Sequence, residues 1–274
     1  IRERVRMMHA LRTGFAKGEL FVVYQPQIDL VTRRPVGAEA LLRWQHPVRG
    51  LLGPYEFLAV AEEMGLIYDI GRWVLRESCS QLREWNLGPA SASPLTIAVN
   101  LSTRQFSANS FLNDITRTFK VFGLPAASVT LEVNERVVAQ DVDKAAGVLS
   151  ALRSLGARIF LDDFGSGNSP IGYLGRLPLD GVKIDHNLVS RMDRDEKSMR
   201  LVRSVAWSCG ASSTRLPTRR VLMLPGLRVT AVSTPAKPPA RRFPCWPCWQ
   251  PPRRPPGKPY PTYTAAVRLL AHRQ

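Results

Sequence analysis

The chain's 274 residues carry a formal charge of +16, but the charge is uneven: residues 1–196 hold 23 Lys/Arg against all 22 Asp/Glu, while residues 197–274 hold 15 Lys/Arg, no acid and 13 of the 22 prolines. The first part has an ordinary globular composition, long enough for one barrel or two small domains, so the net charge gives it no nucleic-acid signature. No run of 18 or more apolar residues, no secretory signal and only four cysteines occur, which excludes a predicted transmembrane helix and a disulfide scaffold and suggests a reducing, cytoplasmic setting.

Taken in chain order, Arg2 to Lys17 reads as an amphipathic helix with Val5, Met8, Leu11 and Phe15 on one face, suited to a connector over residues 1–17. Leu20 to Tyr24 and Val36 to Arg43 read as strands, and Pro54 to Met64 and Ile70 to Trp85 as helices. Thr96 to Asn100 is a strand and Phe111 to Phe122 a helix. Val129 to Val133 is a strand, Asp141 to Leu155 a helix and Arg158 to Asp162 a strand. A short helix from Ile171 stops before Pro178, Val182 to Asp185 is a strand, and a helix begins at Lys197. This alternation predicts an α/β fold with a parallel sheet. Six strands are legible, where a closed (β/α)8 barrel needs about eight.

The strands end on groups that bind metals or phosphates. Glu39, Asn100, Glu132, the pair Asp162-Asp163 and Lys183 each follow a short apolar run. Two adjacent carboxylates at the end of a buried strand repel each other, and a divalent cation relieves that repulsion. On its own the pair also fits a helix N-cap with a solvated neighbour. In a barrel, polar groups at successive strand ends mark the C-terminal face as the site.

These residues stand in motifs that resemble the EAL domain family. They are Tyr24-Gln25-Pro26, Glu39-Ala40-Leu41 with Arg43-Trp44, Val99-Asn100-Leu101-Ser102, Leu131-Glu132-Val133-Asn134-Glu135, Asp162-Asp163-Phe164-Gly165-Ser166-Gly167 and Lys183-Ile184-Asp185. They follow in family order over residues 18–205. The resemblance implies a TIM-like barrel and a cytoplasmic phosphodiesterase that hydrolyses cyclic di-GMP to pGpG with Mg²⁺ or Mn²⁺, two per site. It implies that Glu39, Asn100, Glu132 and Asp162 ligate a first metal and that Asp162 and Asp163 serve a second. Lys183 would hold the attacking water or the reacting phosphate, and Glu135 would brace the loop carrying the acidic pair. Gln25, Leu41 and Arg43 would line the dinucleotide site. It also suggests an upstream GGDEF or sensor domain, consistent with a start at Ile1, and pairing into a homodimer. Asn134 stands where the family often has Thr.

The resemblance stops near residue 205. The family continues into a seventh strand ending in a glutamate that serves the metals, and no acid follows Glu196. Leu227 to Ala231 resembles the start of that strand, without its carboxylate. The barrel is therefore expected to be incomplete, with weak or absent turnover and poor solubility. An inactive module that binds cyclic di-GMP or a protein partner is the alternative. The basic 206–274 tail reads as disordered, with the composition of a GC-rich gene read out of frame. Resequencing codons 200–274 checks that origin. Its Cys245-x-x-Cys248 lacks a second ligand pair, and its arginines and aromatics would bind nucleic acid without specificity.

Overall fold

The computed structural model describes residues 2–28, 34–87, 94–106, 110–165, 171–185, 188, 194–196 and 198–200. The elements are α1 (Arg2–Ala16), β1 (Leu20–Ile28), β2 (Pro35–His46), β3 (Gly50–Leu52), α2 (Pro54–Glu63), α3 (Leu66–Leu87), β4 (Thr96–Leu101), α4 (Thr103–Phe106), α5 (Phe111–Phe122), β5 (Val129–Asn134), α6 (Glu135–Gln140), α7 (Val142–Ser154), β6 (Arg158–Phe164) and β7 (Gly181–Ile184), with 3-10 turns at Ala126–Ser128 and Ile171–Arg176. The strands form one sheet in the order β1-β2-β4-β5-β6-β7, and β3 pairs with β2. Among the described residues this is a partial barrel. The sequence calls for the tail, the region around Leu227 and the Cys245–Cys248 pair lie outside the described residues, as does most of the helix from Lys197.

The ladder β2-β4-β5-β6-β7 is parallel, but β1 and β3 each run antiparallel to β2. This corrects the all-parallel expectation. Only residues 29–34 link the first two strands, and a parallel crossover needs a dozen or more residues. Among the described residues the sheet also has seven strands rather than six. The addition is β3, which turns back onto the end of β2 through Gly50 at φ 76°. Three residues are too few to show a period.

Alternation along the strands sorts side chains onto two faces. One face carries Ala38, Ala40, Leu42 and Trp44 of β2, Ile97, Val99 and Leu101 of β4, Val129, Leu131 and Val133 of β5, Ile159 and Leu161 of β6, and Val182 of β7. All of these are buried in one cluster with the helix residues Phe57, Ile70, Leu82, Ile115, Leu149 and Leu152. The opposite face, the barrel interior, holds the polar residues of the same strands. Gly37 lies on that interior face, paired with Thr96, and a Cβ there would sit 2.4 Å from the Thr96 carbonyl oxygen.

α1 packs on this body. Leu11 is fully buried, Phe15 meets Trp73 edge-on with centroids 6.0 Å apart, and Arg4 pairs with Glu63 of α2. The Trp44 indole donates to Glu19 at 3.1 Å, just past the helix. Leu11→Ala is expected to cost about 2–5 kcal/mol, as for other fully buried leucines. Urea denaturation of the chain measures it, and a loss below about 0.5 kcal/mol would show that α1 hangs free of the body.

Candidate functional site

The interior face collects the predicted site residues. Register pairs Gln25 with Glu39 across β1 and β2, Glu39 with Ala98 on β4, Asn100 with Glu132 across β4 and β5, and Asn134 with Asp162 across β5 and β6. Glu39, Glu132 and Asp162 therefore climb one pleat at each step. Tilted barrel strands bring such a diagonal into a single layer. One carboxylate oxygen from each lies within 4.8 Å of the other two.

Lys183 reaches into this layer from β7. Its Nζ lies 2.6 Å from Glu132, 3.1 Å from Glu39 and 3.2 Å from Asp162. One ammonium thus faces three carboxylates, and the layer keeps an excess of negative charge. Asn100 donates its Nδ2 to Glu39 at 3.0 Å, which leaves its Oδ1 as an acceptor. Glu132 Oε1 is buried with no hydrogen-bond partner. A buried unpartnered carboxylate oxygen is costly, and it is the group that a cation would satisfy. Three carboxylates and an amide oxygen form a hard-oxygen donor set of the kind that divalent cations such as Mg²⁺ and Mn²⁺ take. The residues present fit such an ion.

The electrostatics agree. Burial pushes the Glu132 carboxyl up to about 8; Lys183 pulls it down, and Glu39 and Asp162 raise it further. Burial works against the Lys183 ammonium, but Glu132, Glu39 and Asp162 outweigh it and hold Lys183 above its ordinary value. Burial, then repulsion from Asp162, raises the Asp163 carboxyl. A carboxyl whose folded pKa is raised stabilises the fold fully below its ordinary value, and that contribution is lost as pH climbs through the folded pKa. The metal-free chain should therefore lose thermal stability between about pH 5 and pH 8 on account of Glu132. Added Mn²⁺ should raise the melting temperature more at pH 8 than at pH 6, because fewer protons need then be displaced from Glu132. Melting curves with EDTA and with Mn²⁺ at both pH values check this.

The acidic pair departs from regular strand geometry. Leu161 pairs with Val182 and Phe164 with Ile184, so Asp162 and Asp163 together oppose Lys183 alone. This is a bulge, with Asp163 at φ 56°. Strict alternation would turn Asp163 toward the helices. The bulge lets it accept from Asn134 Nδ2 at 2.8 Å instead, and returns Phe164 to the core at 1% exposure. Asn134 also caps α6, its Oδ1 accepting from the Arg136 amide. Glu135 is buried beneath the bulge: its Oε2 accepts from the Gly165 amide at 3.1 Å and its Oε1 from the Tyr173 hydroxyl at 3.0 Å.

Of the residues assigned to the dinucleotide, Gln25 is buried beside Glu39, and Leu41 and Arg43 follow Glu39 along the same face. Burial lowers the Arg43 pKa, and its guanidinium donates to the Leu42 carbonyl at 2.8 Å. His46 makes structural contacts: its Nδ1 accepts from the Val48 and Arg49 amides, and its ring meets Trp44. Sequence reasoning gave no individual role to Tyr173. Nothing local signals a phenol that reaches a carboxylate 38 positions away.

Residues 8–211 match the family described as EAL domain. The chain belongs to the EAL domain family. Its EAL region is 36% identical over 203 residues to the bifunctional diguanylate cyclase/cyclic di-GMP phosphodiesterase MucR of Pseudomonas aeruginosa, covering 74% of this chain and 29% of that protein. It is 38% identical over 184 residues to a cyclic di-GMP phosphodiesterase of the same organism, covering 67% and 31%. The solved structure of the MucR phosphodiesterase in complex with c-di-GMP matches with a TM-score of 0.69 at 35% identity, covering 74% of this chain and 81% of that one. The chain spans about a quarter to a third of the length of the curated relatives it matches. No described helix of this EAL chain is long and apolar enough to cross a membrane.

Proposed function

We propose that this chain carries a cyclic di-GMP phosphodiesterase site that opens the cyclic dinucleotide to pGpG. The observation that carries the reading is the interior layer of Glu39, Glu132 and Asp162 around Lys183, with Glu132 Oε1 left unpartnered. The names of the two Pseudomonas relatives and the c-di-GMP complex of MucR support the same substrate.

Glu39, Asn100, Glu132 and Asp162 would hold one Mg²⁺ or Mn²⁺, and Asp162 and Asp163 a second. Bound there, such ions supply Lewis acidity and lower the pKa of water. The chain's own residues do the rest. Gln25, Leu41 and Arg43 lie along the face next to Glu39 and orient the dinucleotide, with Arg43 as a cation toward a phosphate. The Lys183 ammonium places positive charge where the water or the reacting phosphate sits. Glu135 holds the bulge that carries Asp163. Because pGpG keeps its phosphate on a 5′ oxygen, the P–O3′ bond breaks, water oxygen goes to phosphorus and a proton reaches the departing 3′ oxygen.

One observation favours a second reading. Residues 197–274 hold no acid, so this stretch does not offer the further glutamate that the family adds to its metals. Turnover is therefore expected below that of a complete family member, and a receptor that binds cyclic di-GMP without cleaving it is the limiting case. The length of the relatives supports an upstream GGDEF or sensor domain in the parent protein. Calorimetry of cyclic di-GMP binding, followed by chromatographic analysis for pGpG with Mn²⁺, distinguishes the two readings: binding with product supports the enzyme, and binding without product supports the receptor.

A further inference from the structure

Asp163 meets the site only because β6 bulges, and the bulge needs an explanation of its own. Two residues oppose one there, and Asp163 adopts a left-handed backbone at φ 56°, which non-glycine residues avoid. Such a conformation persists where surrounding contacts over-determine it. The Asp163 amide donates to Asp162 Oδ1 at 3.0 Å, and three longer-range contacts add to it. Asn134 Nδ2 donates to the Asp163 carboxylate, the Asp185 amide donates to the Phe164 carbonyl at 3.0 Å, and the Gly165 amide, at φ 90°, donates to Glu135 Oε2. Glu135 is 1% exposed and Tyr173 8%. No cation is within salt-bridge distance of Glu135 among the described residues. Its other oxygen takes the Tyr173 hydroxyl, from the 3-10 turn Ile171–Arg176 that precedes β7.

We infer that Tyr173 is a positioning residue for Asp163, acting through Glu135: its hydroxyl fixes the carboxylate that pins Gly165 and so holds the Asp162–Asp163 bulge toward the mouth of the barrel. The Glu135 carboxylate can rotate if one oxygen loses its donor. Gly165 then loses a fixed acceptor, and the left-handed turn at Asp163 can relax. The ring of Tyr173 packs in the core cluster without the hydroxyl, so Tyr173→Phe removes the hydrogen bond and keeps the packing. The consequence for metals rests on the proposed phosphodiesterase site, while the coupling between Tyr173 and Gly165 does not.

The test uses the full chain and the variants Tyr173→Phe, Glu135→Leu and both together; leucine offers no acceptor to either donor. In EDTA, hydrogen exchange of the Gly165 amide should quicken at least about 10-fold in Tyr173→Phe, with the β5 amides unchanged. The double variant should match Glu135→Leu alone, because both act through one carboxylate. In a Mn²⁺ titration of the unreacted protein, Tyr173→Phe should weaken the looser binding event about 10–100-fold and leave the tighter one in place, as loss of an outer contact does at metal sites. Unchanged exchange at Gly165 in Tyr173→Phe would overturn the inference, and so would effects that add in the double variant. If the unmodified chain takes up no Mn²⁺, the phosphodiesterase reading fails, and the exchange arm still decides the coupling.

Discussion

Glu132→Gln is expected to remove Mn²⁺-dependent cleavage of cyclic di-GMP while making the metal-free chain more stable at pH 8. The two effects have one cause. Glu132 is 1% exposed, with one oxygen on Lys183 and the other unpartnered. Burial makes its charged form costly even beside Lys183, and Glu39 and Asp162 add repulsion, which is why its carboxyl is pushed up to about 8. A glutamine can still accept from Lys183 and never ionises. In EDTA the variant should therefore melt like the parent at pH 5 and above it at pH 8. Without the central carboxylate the cation set falls to Glu39, Asp162 and the Asn100 amide, and pGpG formation should drop by about 10²–10³-fold or more, the scale seen when a group serving the transition state is removed. Added Mn²⁺ should no longer raise the melting temperature. A variant that is less stable than the parent at pH 8 in EDTA, yet still stabilised by Mn²⁺, would contradict this account of the layer.

The reverse trade is expected at Lys183. Its Nζ is the only cation within salt-bridge distance of Glu39, Glu132 and Asp162 among the described residues. Lys183→Met keeps the aliphatic stem and leaves three carboxylates facing one another. Breaking a buried charge pair from one side costs about 3–5 kcal/mol, and urea denaturation in EDTA at pH 7 should show a loss of that order. A divalent ion in the layer replaces the missing charge. Free Mn²⁺ at 100 times its dissociation constant returns about 2.7 kcal/mol, so the ion should recover much of the stability. It should not recover hydrolysis, because the ammonium proposed to hold the attacking water or the reacting phosphate is gone. If Lys183→Met is as stable as the parent in EDTA, or if Mn²⁺ does nothing for its stability, the ammonium does not hold the layer together.

Much of this site is legible before any coordinates. Helix α5 runs over Phe111–Phe122 as its period indicates, because Gly123 at φ 63° stops it where the apolar pattern ends. Strands β4 to β7 stand out as short apolar runs that meet a metal- or phosphate-binding group near their ends. That group points into the barrel while the preceding apolar residue faces the helices, which is why Asn100, Glu132, Asp162 and Lys183 could be singled out. The direction of β1 was less visible, since a run of apolar residues does not encode strand direction and only the length of the 29–34 link does. Helix α3 starts at Leu66 rather than Ile70, after Gly65 at φ 71° turns the chain. The Asp163 turn was hidden for a sharper reason. A period of two predicts the wrong face for it, and the bulge exists through contacts with Asn134, Glu135 and Asp185, each distant in sequence. The resemblance marks Glu135 as a brace for that loop, but its bond to Tyr173, 38 positions away, has no local signal.

The proposed cleavage of cyclic di-GMP at the interior layer with a bound divalent ion is tested by incubating the full chain with cyclic di-GMP and Mn²⁺, with products resolved by chromatography over hours and Glu132→Gln run beside it. Slow pGpG formation by the parent chain, stopped by EDTA and absent in the variant, is expected. Saturable binding of cyclic di-GMP with no pGpG at any time, or equal pGpG from parent and variant, would contradict it.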